Sequence, residues 1–367
     1  MKKLITLSRR RFIQAGAAAF ATATLPSMAA NLVLPGKKRK LGVALVGLGN
    51  YSSNLLAPAL QLTQHCYLAG IVTGSPEKIP VWQKKYAVPG SNVYNYENMH
   101  TIADNDDIDV VYIVLPNSMH KEYSLIAADA GKHVWCEKPM ALNAAECRAI
   151  IDGCRKNKVK LSIGYRMQHE PNTRVIMQMA KDKPYGEIKN IVAGAGFLDR
   201  RETYHWRQDK SMGGGAMYDI GIYALNAARY VSAQEPVAVT AHSESRRKQY
   251  KDVDETMHFT LEFPGGLTAE CQGSFAQNLL DLDVECEKGW YRMSPFWTYT
   301  GVQGSTSDGR KLNLSIDNEQ ARQMDDDALA ILSGKPVMAP GEEGLRDLTV
   351  IDAIYKSASE KKRVVIS

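Results

Sequence analysis

A glycine pair set directly after a short apolar, β-branched run constrains this chain more than any other feature. Residues 41–46 read as a strand, and Gly47-Leu48-Gly49-Asn50-Tyr51-Ser52 follows at once. Gly47 permits a tight turn, and Gly49 lets the backbone approach a pyrophosphate at the next helix N-terminus. The third position is Ser52 where such loops carry Gly or Ala, so the loop alone also fits a plain strand–helix turn. Its place at the head of a long alternation decides the matter. Further strand-like runs stand at residues 67–72, 110–114, 133–136 and 160–163, with helical stretches at 53–64, 76–86, 121–130 and 144–156. Strand–helix alternation predicts an α/β fold with a doubly wound parallel sheet, a Rossmann domain over residues 41–163.

After Gly164 the pattern changes. Alternating strands are expected at residues 188–195, 237–244, 256–263 and 266–275, with helices at 216–231 and 344–359. This predicts a second α/β domain over residues 164–367, built on a large, mostly antiparallel sheet. A chain of 367 residues also exceeds what one hydrophobic core usually serves.

Charge matters because it is so unevenly placed. The chain has 45 Lys+Arg against 40 Asp+Glu. Residues 1–30 hold Lys2, Lys3, Arg9, Arg10 and Arg11 and no acid, which leaves 40 of each sign in the remainder. A neutral body without a basic stripe offers no footprint for nucleic acid. The leader itself has a twin-arginine pair before Phe12-Ile13, an apolar run over residues 15–25, and small residues at Ser27, Ala29 and Ala30. That layout predicts a twin-arginine export signal, periplasmic location and no stable membrane anchor. The apolar run is shorter than the roughly 20 residues that span a bilayer. Residues 31–40 are expected to form a short polar arm. Export in the folded state implies folding in a reducing compartment, so the six cysteines are expected to be free and mostly buried. No His/Cys spacing among them suggests a metal site.

Several segments carry the chemistry. The second strand ends in Thr73-Gly74-Ser75 with no acid before Glu77, and Lys78 follows. NAD-preferring sites place a carboxylate there for the ribose, so this stretch favours NADP, although Thr73 and Ser75 also fit a polar turn. Leu115-Pro116-Asn117-Ser118-Met119-His120 follows one strand and Glu137-Lys138-Pro139 the next, at the sheet edge where ligands of doubly wound folds lie. Gly213-Gly214-Gly215 opens a helix on which Asp219 and Tyr223, four apart, share a face.

These segments, with Gly164-Tyr165-Arg166, Trp206-Arg207 and the Pro340–Gly344 stretch, resemble the Gfo/Idh/MocA oxidoreductase family and within it the glucose–fructose branch. The resemblance runs from about residue 41 to the end. It implies a C-terminal open sheet that supports homodimers or homotetramers. It implies catalytic roles for Lys138, Asp219 and Tyr223, the last as acid/base. It implies cofactor contacts from Gly47, Leu48, Gly49, Asn50, Tyr51, Thr73, Gly74, Ser75, Lys78, Leu115, Pro116, Asn117, His120, Glu137, Lys138, Arg166, Trp206 and Arg207. A phenol titrates near 10 in water and needs cationic neighbours to act as a base. The expected activity is a periplasmic sugar oxidoreductase with tightly bound NADP. Competing readings are a nicotinamide-dependent glycosidase of the same superfamily and a non-catalytic sugar- or nucleotide-binding subunit.

Overall fold

Alternating burial on pleated strands builds the first layer of the molecule. The computed structural model describes residues 40–366, so the expected leader and all of the arm but Lys40 lie outside the described residues. Strands β1 (Leu41–Val46), β2 (Cys66–Val72), β3 (Val93–Tyr94), β4 (Val110–Ile113), β5 (His133–Cys136) and β6 (Leu161–Ile163) pair in parallel in the order β3-β2-β1-β4-β5-β6. Every residue of β1 is buried, as a strand covered on both faces requires. Val43 and Leu45 pack to one side with Leu68, Val110 and Trp135, whereas Ala44 and Val46 pack to the other with Val72, Val111 and Val134. The strand order reverses direction between β1 and β4, and the carboxyl ends on either side of that point carry the glycine pair and the Leu115-Pro116 segment.

The helix expected over residues 53–64 is shorter than its sequence suggests and opens on a wider turn. A π turn, Ser52–Leu56, runs into α1 (Ala57–Leu60), and the Thr63 hydroxyl caps the exit on the carbonyls of Leu60 at 2.8 Å and Cys66 at 2.7 Å. Helices α2 (Ile79–Tyr86), α3 (His120–Asp129) and α4 (Ala144–Lys156) fall close to the stretches expected for them.

The second half contains α5 (Pro171–Asp182) and a sheet of nine strands. These are β7 (Ile188–Gly196), β8 (Ala238–Glu244), β9 (Thr256–Glu262), β10 (Thr268–Ser274), β11 (Leu282–Cys286), β12 (Gly289–Met293), β13 (Gly304–Thr306), β14 (Lys311–Leu312) and β15 (Val364–Val365). Their order is β14-β13-β12-β11-β7-β10-β9-β8-β15, and only β7 with β10 is parallel. Helices α6 (Ile222–Ser232) and α8 (Gly341–Glu360) lie against one face, over Ile191, Ala193, Val239, Ala241 and Phe259. The opposite face carries Val192, Thr240, His242, Glu270 and Arg292, all exposed. Strands after residue 280 are two to five residues long, too short for their alternation to stand out in the sequence.

One helix unannounced by the sequence ties the halves together. Helix α7 (Glu319–Ser333) returns to the first sheet, where Ala321, Met324 and Ala328 pack with Leu41, Leu45 and Leu68. The Asp325 carboxylate accepts the amides of Gln64 at 2.9 Å and His65 at 2.7 Å, and the Ile163 amide donates to Ala339 at 2.8 Å. A division at residue 163 therefore separates the strands of the two sheets but not their helical layers. Among the described residues the six cysteines are free and five are buried, and no helix is long and apolar enough to cross a membrane.

Candidate active site

Lys138 leaves the carboxyl end of β5, and what precedes it fixes its direction. The buried Glu137 carboxylate accepts the Tyr112 hydroxyl at 2.6 Å and the Lys138 amide at 3.3 Å. A side chain at residue 164 would crowd that carboxylate to 2.7 Å, so the glycine of Gly164-Tyr165-Arg166 makes room for it. Burial holds the Glu137 carboxyl above its usual range despite the nearby Lys138. The Lys138 ammonium donates to the backbone carbonyl of Asp219 at 2.6 Å, lies 4.0 Å from the Asp219 carboxylate, and stands 4.8 Å from the Tyr223 ring centre.

Asp219 sits on a π turn, Met217–Gly221, and Tyr223 on the first turn of α6. The simple i, i+4 face expected from the spacing is thus distorted, yet both residues still converge on Lys138. The helix entry is pinned by Asp254, which accepts the Met217 amide at 2.6 Å and the Tyr355 hydroxyl at 2.8 Å. Gly215 has φ +116° and any Cβ there would collide with the Asp254 carboxylate, which explains the last glycine of the triplet. A side chain at Gly273 of β10 would likewise strike the Gly221 backbone, so glycine on both partners seats the turn on the sheet.

The Asp219 carboxylate is gripped by Arg207 through Nε at 2.5 Å and Nη2 at 3.1 Å, a bidentate fork. Burial by itself raises its pKa, but the Arg207 and Lys138 cations overcome this and hold the carboxyl below its ordinary value. Arg207 thus has a partner inside the site rather than only a cofactor-facing role, and its guanidinium also stacks 4.8 Å from the Trp206 ring.

Arg166 supplies a second buried cation. It pairs with Glu319 at the start of α7 and donates to the carbonyls of Trp297 and Thr298, the latter at 3.1 Å. Its guanidinium lies 5.1 Å from the Tyr223 ring centre and 4.5 Å from that of Tyr299. Tyr299 in turn is 6.0 Å from Tyr51 of the glycine loop, and Trp297 is 5.7 Å from Tyr223. Burial pushes the Glu319 carboxyl up to about 7 although Arg166 opposes this. Sequence reasoning missed Glu319. After the cap Asn318, whose side chain accepts the Ala321 amide at 2.8 Å, it reads as an ordinary first-turn acid.

The glycine loop has the shape of a phosphate cradle. Gly47 has φ +90°, its amide donates to Val72 at 3.0 Å, and a Cβ would strike the Val114 carbonyl. A Cβ at Gly49 would meet nothing within 4 Å, so the loop borders open space there. The amides of Leu48 and Gly49 have no backbone acceptor among the described residues. Ser52, buried, donates its hydroxyl to the Gly47 carbonyl at 2.5 Å and so braces the loop in place of the usual small residue. Lys78 brings its ammonium to the Leu48 carbonyl at 3.1 Å. Exposed Gly49 and Asn50, half-buried Tyr51, Leu115 and Pro116, exposed Gly74 and half-buried Ser75 border this side of the cleft. These groups fit a dinucleotide, with the loop amides for its phosphates.

Three expected contacts are internal instead. Thr73 is buried and accepts the Ser75 amide at 3.1 Å, the polar-turn alternative. Asn117 is buried and donates to the Gly213 carbonyl at 2.7 Å. His120 is fully buried, with its ring nitrogens 2.9 Å from the carbonyls of Leu115 and Pro139. It braces the two cleft loops rather than lining the cleft, and burial lowers its pKa.

The model of an oxidoreductase family with an NAD-binding Rossmann fold matches residues 41–165, and that of the GFO/IDH/MocA C-terminal domain matches residues 173–292. The chain belongs to the Gfo/Idh/MocA family. Among Gfo/Idh/MocA relatives, it is 30% identical to D-xylose 1-dehydrogenase [NADP(+)] of Haloarcula marismortui, over 88% of this chain and 92% of that one. The crystal structure of aldose–aldose oxidoreductase from Caulobacter crescentus, complexed with glycerol, superposes with a TM-score of 0.85 at 37% identity, covering 89% of this chain and all of that one. A levoglucosan dehydrogenase complexed with NADH and levoglucosan shares the fold, with a TM-score of 0.77 at 21% identity, 89% of this chain and 99% of that one.

Proposed function

We propose that this chain is a sugar oxidoreductase that oxidises an aldose at C1 to the lactone and reduces a second sugar or carbonyl compound at the same site. The observation that carries the reading is the convergence of Lys138, Asp219 and Tyr223 at the carboxyl edge of the parallel sheet, linked through Arg166, Tyr299 and Tyr51 to the glycine loop. The names of the D-xylose dehydrogenase and the aldose–aldose oxidoreductase support the substrate class. A nicotinamide dinucleotide held by Gly47–Asn50 supplies the hydride acceptor and donor. The side chains do the rest. Tyr223 takes the proton of the sugar hydroxyl, and Lys138 and Arg166 over its ring stabilise negative charge as it develops on the phenolic oxygen. Lys138 uses one of its three donors on Asp219 and keeps the others for the sugar oxygen. Asp219, kept ionised by Arg207, holds the ammonium in place.

NADP is the cofactor this reading favours, since no carboxylate before Glu77 would repel a 2′-phosphate and Lys78 stands beside the loop. The leader supports twin-arginine export to the periplasm. Without a free nicotinamide pool there, a cofactor carried through export is recycled without dissociating, which is the reason for two half-reactions, and the open second sheet suits a homodimer or homotetramer. The test is the near-ultraviolet absorbance of the purified protein with no nucleotide added, followed while aldoses are introduced one at a time. A rise reversed by a second sugar is the expected result. Activity seen only with added, freely exchanging nucleotide overturns the retained-cofactor cycle and leaves a conventional dehydrogenase.

A further inference from the structure

The face of the nine-stranded sheet opposite α6 and α8 holds a second group of chemistry-bearing side chains. His242 of β8 and His258 of β9 are direct partners across the antiparallel ladder, so both project from the face opposite α6 and α8. Their rings stack at 4.6 Å with planes 9° apart. Glu244, two residues along β8, projects from the same face, as strand alternation requires. One ligand atom from each of His242, Glu244 and His258 lies within 4.8 Å of the others. They do not satisfy one another. Glu244 Oε1 is 3.7 Å from His258 Nε2, beyond hydrogen-bond reach, and neither imidazole hydrogen-bonds to another described residue. The other carboxylate oxygen, Oε2, is held by Arg246 at 2.8 Å and 3.1 Å, which orients Oε1 toward the rings.

We propose that His242, Glu244 and His258 form a three-ligand site for a divalent transition-metal ion of the zinc type. Two imidazoles and one carboxylate suit borderline metals, whereas calcium and magnesium prefer all-oxygen shells. The ladder sets the two backbones, so binding asks only for ring rotation and a small closure of the carboxylate. Buried Val239, Ala241, Met257 and Phe259 alternate with the ligands and face the helices, so the whole thickness of the sheet separates this site from Tyr223 on α6. The ion is therefore structural, cross-linking β8 to β9, and has no part in the sugar chemistry.

Calorimetric titration of the untagged, full-length protein with zinc chloride tests this. One ion per chain is expected, with at least a tenfold loss of affinity in His258→Ala and in His242→Ala and unchanged sugar oxidation in both. Cobalt(II) is expected to give the visible absorption of a four-coordinate nitrogen–oxygen site, lost in both variants. Superimposable isotherms for the parent and His258→Ala, or no saturable uptake by the parent, overturn the assignment whatever the outcome of the sugar assay.

Discussion

The two ends of α6 carry buried charge in opposite ways. At its C-terminal end Arg229 is only 4% exposed and donates four hydrogen bonds to three carboxylates: Nε and Nη2 bind Glu235 at 2.8 Å, and Nη1 binds Glu343 at 2.8 Å and Asp347 at 2.6 Å. Asn226 closes the remaining oxygen of Asp347 at 2.6 Å. At its N-terminal end the Lys138 ammonium makes one hydrogen bond, to a backbone carbonyl, with the Asp219 carboxylate 4.0 Å away and an aromatic ring beneath it. A charge whose donors are taken up by carboxylates contributes architecture. A charge left with donors to offer is available to a ligand. The comparison also explains why Glu343, in the first turn of α8, belongs to the structural set, while its neighbour Glu342 is exposed and meets Arg155 at 3.5 Å.

The sharpest way to break this contrast is to remove one cation from each end. Lys138→Met is expected to lower kcat by about 10²–10⁴-fold, the range for a positioned acid–base partner, with little change in the urea midpoint. A drop in stability with kcat preserved would reverse the assignment of the two ends. Arg229→Met is expected to do the opposite: it strands buried carboxylates and destabilises the fold by about 3–5 kcal/mol, with turnover per folded molecule retained. Denaturant titration beside an active-site count separates the two.

A pH series sharpens the structural end. Burial, reinforced by Glu343, pushes the Asp347 carboxyl up to about 6 although Arg229 opposes it. Its proton is held more tightly in the folded than in the unfolded chain, so the stability this gives is full below the ordinary value of 3.8 and is lost as pH rises through about 6. Asp347→Asn removes that loss. The variant is expected to gain on the parent by about 2–3 kcal/mol across this window, from roughly 1.4 kcal/mol per pH unit. Parallel stability curves would mean that Asp347 is not the group that keeps the proton. The smallest effect belongs to Asp219→Asn. Lys138 is held by the Asp219 backbone carbonyl, which the substitution keeps, so a loss of only about tenfold in kcat/KM is expected, near 1.4 kcal/mol. A loss matching that of Lys138→Met would give the carboxylate a direct part in the chemistry.

Local pattern made the first half of the molecule legible. Parallel strands buried on both faces are continuous apolar runs, and the helices between them are long enough to show their period, so β1, β4 and β5 and the helices α2 to α4 stand close to where the residues alone place them. The candidate chemistry was legible for the same reason: Lys138, Asp219 and Tyr223 each lie in a short segment whose residues are unusual together. The second half was less so. Its last strands are too brief to announce themselves, and a π turn alters the spacing that an ideal helix would have imposed on Asp219 and Tyr223. His120 had a motif's position but not its role, because two facing carbonyls and full burial make it a brace.

The sequence by itself determined the α/β class, the glycine turn, the change of architecture after Gly164 and the segments that hold Lys138, Asp219 and Tyr223, all of which depend on neighbours along the chain. Tertiary structure alone decided the return of α7 to the first sheet, the pairing of Arg166 with Glu319 and of Arg207 with Asp219, and the enclosure of Arg229. It also decided the meeting of His242 with His258, where no spacing along the chain suggested a metal site. Those contacts join residues 6 to 261 positions apart. Their partners are selected by strand register and helix packing, and a one-residue slip in register would turn every such side chain to the other face.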